Sequence, residues 1–166
     1  MKSIEGQLDL LEKLDFLNRK EGKHNIYYFK SKNVEQSVYN RMLFDQRQKL
    51  HLDISEYLEK LNADLHLQDI ARHLWKHLEK NEDINSQILE KSMNYIFNAA
   101  QDLSKKGNEE GRIKWFERAV ASLNAENVSS FNDIKEKWMP KFKVTVENKG
   151  NNTEVKRGGG RSRFAK

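Results

Sequence analysis

From Leu8 to Leu123 the apolar residues of this 166-residue chain recur at steps of three and four, and its single proline, Pro140, lies beyond that stretch. Such a period buries one face of helix after helix and leaves little chain for a sheet. Leu8, Leu11 and Leu14 share the first face, and the polar, glycine-bearing NRKEGKHN from Asn18 to Asn25 stops it. Ile26 to Lys30 (IYYFK) is aromatic and β-branched, as a strand is, and pairs with Asp15 to Asn18 as a small wing. Val34, Val38, Met42, Leu43, Leu50, Ile54, Tyr57, Leu58 and Leu61 then predict one long amphipathic helix, or two joined near Asp45, with these residues inward. Leu67, Ile70, Ala71, Leu74 and Leu78 mark the next helix. Ile88, Ser92, Tyr95, Ile96, Ala99 and Leu103 mark another, ended by Lys105, Lys106 and Gly107. Ile113, Phe116, Ala119, Val120 and Leu123 are the buried side of a helix starting near Glu109. A short last helix is capped by Ser130, buries Phe131, Ile134 and Trp138, and stops at Pro140. Phe142 to Val146 (FKVTV) alternates like a strand, and the rest of the tail has too little apolar surface to repay ordering, so disorder is expected there.

Composition removes whole classes of function. With no cysteine there is no disulfide framework, thiolate zinc site, iron–sulfur ligation or cysteine nucleophile. No apolar run approaches the roughly 18 residues of a membrane helix, and the first ten residues, MKSIEGQLDL, lack a signal-peptide core. A cytoplasmic protein without membrane insertion is the expectation, which leaves the Asn-x-Thr at Asn151 idle. The net charge of +5 is unevenly placed. Residues 141–166 carry eight bases and two acids, or +6, so residues 1–140 carry −1. Only the tail is basic.

One run carries a likeness. Phe29 to Lys60 reads FKSKNVEQSVYNRMLFDQRQKLHLDISEYLEK, with Phe29, Lys30, Val34, Tyr39, Leu43, Arg47, Leu50, His51, Ile54, Ser55, Leu58 and Glu59 at ungapped spacing. This resembles the region after the nucleotide-binding module of signal-transducing ATPases with numerous domains, in the branch fused to class III adenylyl cyclases (soluble adenylyl cyclase-like proteins). The resemblance spans roughly Leu8 to Leu123. It implies a winged helix followed by tetratricopeptide-like helical hairpins, and Ile96, Ala100, Leu103, Gly107, Ile113, Phe116 and Ala119 fall at matching steps. Arg112, Glu109 and Asn124 depart from that repeat, standing where a small residue, an aromatic and a nearby proline are usual. Ser31 stands where the family often has a nucleotide-sensing histidine. The resemblance also implies that the cyclase and ATPase chemistry lies upstream. No G-x-x-x-x-G-K-S/T occurs, and the only glycine cluster, Gly158 to Gly160, is in the tail. The chain is thus expected to be a fragment or stand-alone relic, either a non-catalytic interaction segment or a piece of an adenylate/guanylate cyclase.

The remaining candidates are weighed against plainer roles. His73 and His77 have the i, i+4 spacing of a two-histidine zinc pair, but Leu74 stands where a zincin has glutamate, and neither a metal nor a cofactor is expected. His51 reads as a packing or hydrogen-bonding residue. Trp75, Trp115 and Tyr95 at helical spacing read as core filling before a base-stacking platform. Acids at Glu5, Glu12 and Asp15 on the opening helix argue against docking on DNA. KRGGGRSR (Lys156 to Arg163) can give weak, salt-sensitive contact with nucleic acid or an acidic surface.

The reading is a mainly α chain: a winged-helix remnant with a small β wing over 1–32, tetratricopeptide-like helical hairpins over 33–126, a short capping helix over 127–140 and a disordered basic tail over 141–166. No catalytic residue is expected. The partner is another protein or another domain of a larger signalling polypeptide, and Trp75, His77, Arg112 and Trp115 are the candidate contact residues.

Overall fold

A computed structural model describes residues 3–20 and 26–150, with side chains through residue 142. The chain is mainly helical with a small two-stranded sheet. It divides after Arg47 into two compact units. Among the described residues no helix is long and apolar enough to cross a membrane.

The first unit begins with α1 (Ile4–Lys13), capped by the Ser3 hydroxyl, which accepts the Gly6 N–H at 3.1 Å. Asp15, at φ 65°, turns the chain out of α1, and the Phe16 N–H donates to the Leu11 carbonyl at 3.0 Å. That turn delays the wing by two residues. β1 (Leu17–Lys20) pairs antiparallel with β2 (Ile26–Phe29), Leu17 opposite Phe29 and Lys20 opposite Ile26. Ser31 caps α2 (Lys32–Arg41) through its hydroxyl, which accepts from the Asn33 N–H at 3.2 Å. Among the described residues of this unit, Leu17 is the buried hydrophobic one. Beside it a cleft of about 470 Å³ is lined by Leu8, Leu11, Phe16, Val34 and Val38.

The two-helix alternative for Val34 to Leu61 is the one observed. The break falls at Met42 and Leu43, where Met42 is extended (ψ 142°) and the Gln46 side chain reaches back to accept the Leu43 N–H at 3.2 Å. α3 (Phe44–Asn62) follows and crosses the boundary between the units.

The second unit continues with α4 (Leu67–Leu78), α5 (Ser86–Lys105) and α6 (Glu109–Leu123), then a 3₁₀ turn (Glu126–Val128) and α7 (Asn132–Gly150). α5 meets α4 on one side and α6 on another, and α7 closes over α5 and α6. Ala99, Ala100 and Ala119 are fully covered, and Phe116 is 1% exposed. Small residues bring the two backbones together and the phenyl ring fills the seam. The α5–α6 turn ends as the sequence requires. The Asn108 N–H donates to the Leu103 carbonyl at 2.8 Å and the Gly107 N–H to the Ser104 carbonyl at 2.9 Å, with Gly107 at φ 74°. Asn108 then caps α6 by accepting the Gly111 N–H at 2.9 Å. A Cβ on Gly111 would sit 2.9 Å from Leu103 Cδ1, so a larger residue there would displace the end of that side chain.

Two expectations are corrected in this unit. α7 begins at Asn132, with the Lys135 N–H bonded to the Phe131 carbonyl, so Ser130 is not its cap. Nor does the helix stop at Pro140. It runs through the proline to Gly150, and Phe142 to Val146 is helical. A ring inside a helix costs on the order of 3 kcal/mol, from a lost hydrogen bond and a clash with the carbonyl one turn back. The offset comes from Phe142, fully buried one half-turn later. Its ring lies 5.2 Å from Phe116 and 5.8 Å from Trp138, while Phe97 is 5.9 Å from Trp138. Pro140 itself faces solvent. The basic segment beyond Gly150 lies outside the described residues.

Two substitutions separate these contributions in urea titration. Phe142→Ala is expected to cost about 3–5 kcal/mol, whereas Pro140→Ala is expected to hold or raise stability. A Pro140→Ala loss would mean that the helix is not continuous there.

Candidate protein-interaction surfaces

The four candidate contact residues are not one cluster. Trp115, on α6, is 5% exposed, and its indole N–H donates to Gln68 Oε1 at 3.0 Å. Gln68 in turn donates to the Ala99 carbonyl at 2.8 Å and to Asp102 Oδ2 at 3.3 Å, tying α4, α5 and α6 together. Trp75, on α4, is half-buried. Arg118 joins the two indoles, with its guanidinium carbon 4.4 Å from the Trp75 ring centre and 4.9 Å from that of Trp115. Arg112 pairs with Glu109 at 2.5 Å and lies 5.7 Å from the Phe116 ring centre. His77 is 6% exposed. Its Nδ1 lies 2.9 Å from the Gln48 carbonyl, which can only accept, and its Nε2 lies 3.3 Å from the Asn81 amide nitrogen. Both ring nitrogens are spent inside the bundle.

These contacts follow from the way α3 is turned. The residues it buries are Gln48, His51 and Ser55, all polar, and Glu59 continues the same stripe one turn on. Each makes a hydrogen bond, although Gln48 Oε1 is buried without a partner among the described residues. Gln48 Nε2 donates to the Glu79 carbonyl at 3.1 Å, His51 Nδ1 lies 2.9 Å from His73 Nδ1, and the Ser55 hydroxyl donates to the Leu52 carbonyl at 2.7 Å. Glu59 accepts from Lys91 Nζ at 2.6 Å and from the Tyr95 hydroxyl at 2.7 Å. The expectation that Leu50, Tyr57 and Leu61 face inward is therefore corrected. They are 37%, 61% and 56% exposed, and Leu65 just past the helix is 76% exposed. Hydrogen-bond partners on α4 and α5 outweigh the apolar period in setting the face, because a buried polar group is costly only when unpaired.

The histidine pair is an electrostatic constraint. Two imidazole nitrogens at 2.9 Å share one proton, and a second would set N–H against N–H. Burial first, then His73, Lys76 and His77, against an opposing pull from Glu79, lower His51 to about 4. Burial and then Arg72, against Asp69, lower His73. On α5, burial first and then the Glu59 hydrogen bond push the Tyr95 hydroxyl up to about 12, while Glu59 is lowered chiefly by Lys91.

Beside Glu59 a groove of about 910 Å³ runs along α5, lined in part by Asn94, Asn98 and Gln101. Among the described residues no group of three metal-binding side chains gathers. Sequence reasoning named His73 with His77 by spacing and missed the His51–His73 pair. It also missed Arg118, whose cation between two tryptophans is the signal that was available.

The histidine pair gives a pH dependence. Both rings are lowered in the folded chain, so the unfolded chain binds more protons below the ordinary imidazole value near 6.5. Stability is full above that value and is lost as pH falls toward 4. Urea midpoints should already decline between about pH 6.5 and 5, before carboxylates titrate, and His73→Gln should flatten that decline. Compared with known proteins, the chain matches no family, no curated protein and no solved structure, so its likeness to the signal-transducing ATPases rests on the residues quoted above.

Proposed function

We propose that this chain is a non-catalytic helical interaction segment that receives the apolar face of a partner helix along α3, in the cytoplasm. The observation that carries the reading is the orientation of α3. It spends its polar stripe on its own bundle and leaves Leu50, Tyr57 and Leu61 exposed on the outer one, with Ile54 half-buried between them. Steps of four, three and four average about 3.7 residues, close to one helical turn, so these side chains share one face. The partner is a helix of another protein or of another domain of a larger signalling polypeptide. We read the first unit as a winged-helix remnant and the α5–α6 hairpin as a degenerate tetratricopeptide-like unit. The covered Ala100 and Ala119 and the Phe116 in their seam support that reading. No step of catalysis and no cofactor is assigned to these residues.

A photo-crosslinking side chain at Tyr57, in the full chain in its own cell, should give one discrete adduct. The same group at exposed Glu56, about 100° round the helix, should give none. Leu50→Asp with Leu61→Asp should abolish the adduct while leaving the urea midpoint nearly unchanged. Equal adducts at both sites, or cyclic nucleotide made from ATP or GTP by the purified chain, would overturn the reading.

A further inference from the structure

We propose that α3 is an acid-released arm: when the His51–His73 pair takes up a second proton, the Gln48–His51 end of α3 comes away from α4 while its Glu59 end stays fastened to α5. The hydrophobic core of the second unit draws no residue from α3. Its backbone does not run close along α4 or α5 as that of α5 does along α6, and the residues it buries are polar. Side-chain bonds at two stations bridge the gap. At the first, Gln48 Nε2 donates to the Glu79 carbonyl at 3.1 Å, His77 Nδ1 donates to the Gln48 carbonyl at 2.9 Å, and His51 meets His73 at 2.9 Å. At the second, Glu59 accepts from Lys91 at 2.6 Å and from Tyr95 at 2.7 Å on α5. Ser55, between the stations, bonds within α3 to the Leu52 carbonyl.

The stations respond to acid in different ranges. In the histidine pair one nitrogen donates and the other accepts, so a second proton sets N–H against N–H. The surroundings offer that charge no surplus carboxylate. On α4, Asp69 already holds Arg72 at 3.0 Å, and just past α4 Glu79 holds Lys76 at 2.7 Å. His77, also on α4, is committed to Gln48 and Asn81. Arg47 stands one turn before His51 on α3 itself, and Lys91 of α5 is taken by Glu59.

Both rings are lowered from the ordinary value near 6.5 while α3 is in place, His51 to about 4. The released end therefore binds more protons, and release gains as pH falls below 6.5. Counting His51 alone, the ratio of released to attached chains rises about thirtyfold between pH 7.5 and 5. Glu59 has the opposite sign. Lys91 first, against burial, and then Tyr95 lower it, so it stays ionised at pH 5 and its station holds. Acid in this range thus loosens one end of α3 and leaves the other as a pivot. The device lies on the inner face of α3 and needs nothing on the outer one.

Because the chain has no cysteine, two introduced ones can carry a pair of nitroxide labels in the full-length protein. Lys49, Lys60 and Glu117 are exposed. Lys49 lies about 15 Å along the helix from Glu59, so a tilt that barely moves Lys60 carries Lys49 several ångströms. Labels at Lys49→Cys and Glu117→Cys, and in a second protein at Lys60→Cys and Glu117→Cys, should each give one distance at pH 7.5 by pulsed dipolar spectroscopy. At pH 5 the first pair should gain a longer population, and the second pair should keep its distance. His73→Gln should hold the first pair at its neutral distance at pH 5, because a carboxamide can accept from a protonated His51. His51→Gln should do the same from the other side, should His73→Gln fail to fold. Two unchanged distances, two distances that lengthen together, or an acid response that survives the glutamine substitution would overturn the proposal. None of these readouts involves a partner on the outer face, so failure here is distinguishable from failure of the α3 interface.

Discussion

The arrangement of the second unit depends on the close approach of α5 and α6. Ala99, Ala100 and Ala119 have no exposed surface, and helix axes approach closely where such small side chains meet. The approach then fixes what surrounds it. Phe116 enters the seam, Phe97, Trp138 and Phe142 gather round that ring, and α7 is held where they meet. The turn that makes the approach possible also carries a glycine, Gly107, at its left-handed φ.

α3 is attached by another kind of force. Its stripe of Gln48, His51, Ser55 and Glu59 contributes directional bonds, each worth about 0.5–1.5 kcal/mol net, in place of a hydrophobic seam. Such bonds are weak drivers of association but strict about register, because a shift of one residue strands Gln48, His51 and Glu59 at once, while Ser55 bonds within α3. That trade is what leaves aliphatic side chains on the outside of α3, and it makes the attachment sensitive to protonation in a way the alanine seam is not.

Where local chemistry carries its own reason, the fold was legible in the sequence. Lys105, Lys106 and Gly107 end a helix by rules that need no knowledge of the rest of the chain, and they ended it. The aromatic strand Ile26 to Phe29 was likewise readable from composition. The face of α3 was not. Its orientation is set by His73, His77, Lys91 and Tyr95, which lie on other helices, and a periodicity measured along one segment contains nothing about them. The same limit hid the His51–His73 pair behind the more visible spacing of His73 and His77. Pro140 failed as a stop signal because the burial of Phe142, two residues on, overrides a penalty that acts only locally. Among the candidate contacts, size and charge singled out Trp115 and His77, yet these are the properties that a buried hydrogen-bonding residue also has.

The placement of the indoles has an optical consequence. Trp75 and Trp115 stand under Arg118, and Trp138 stands under Lys141 at 4.1 Å, so every tryptophan of the chain has a cation over its ring. All three belong to the second unit, and residues 1–47 contain none. Tryptophan emission thus originates in the second unit, and tyrosine is the fluorophore of residues 1–47 that absorbs near it.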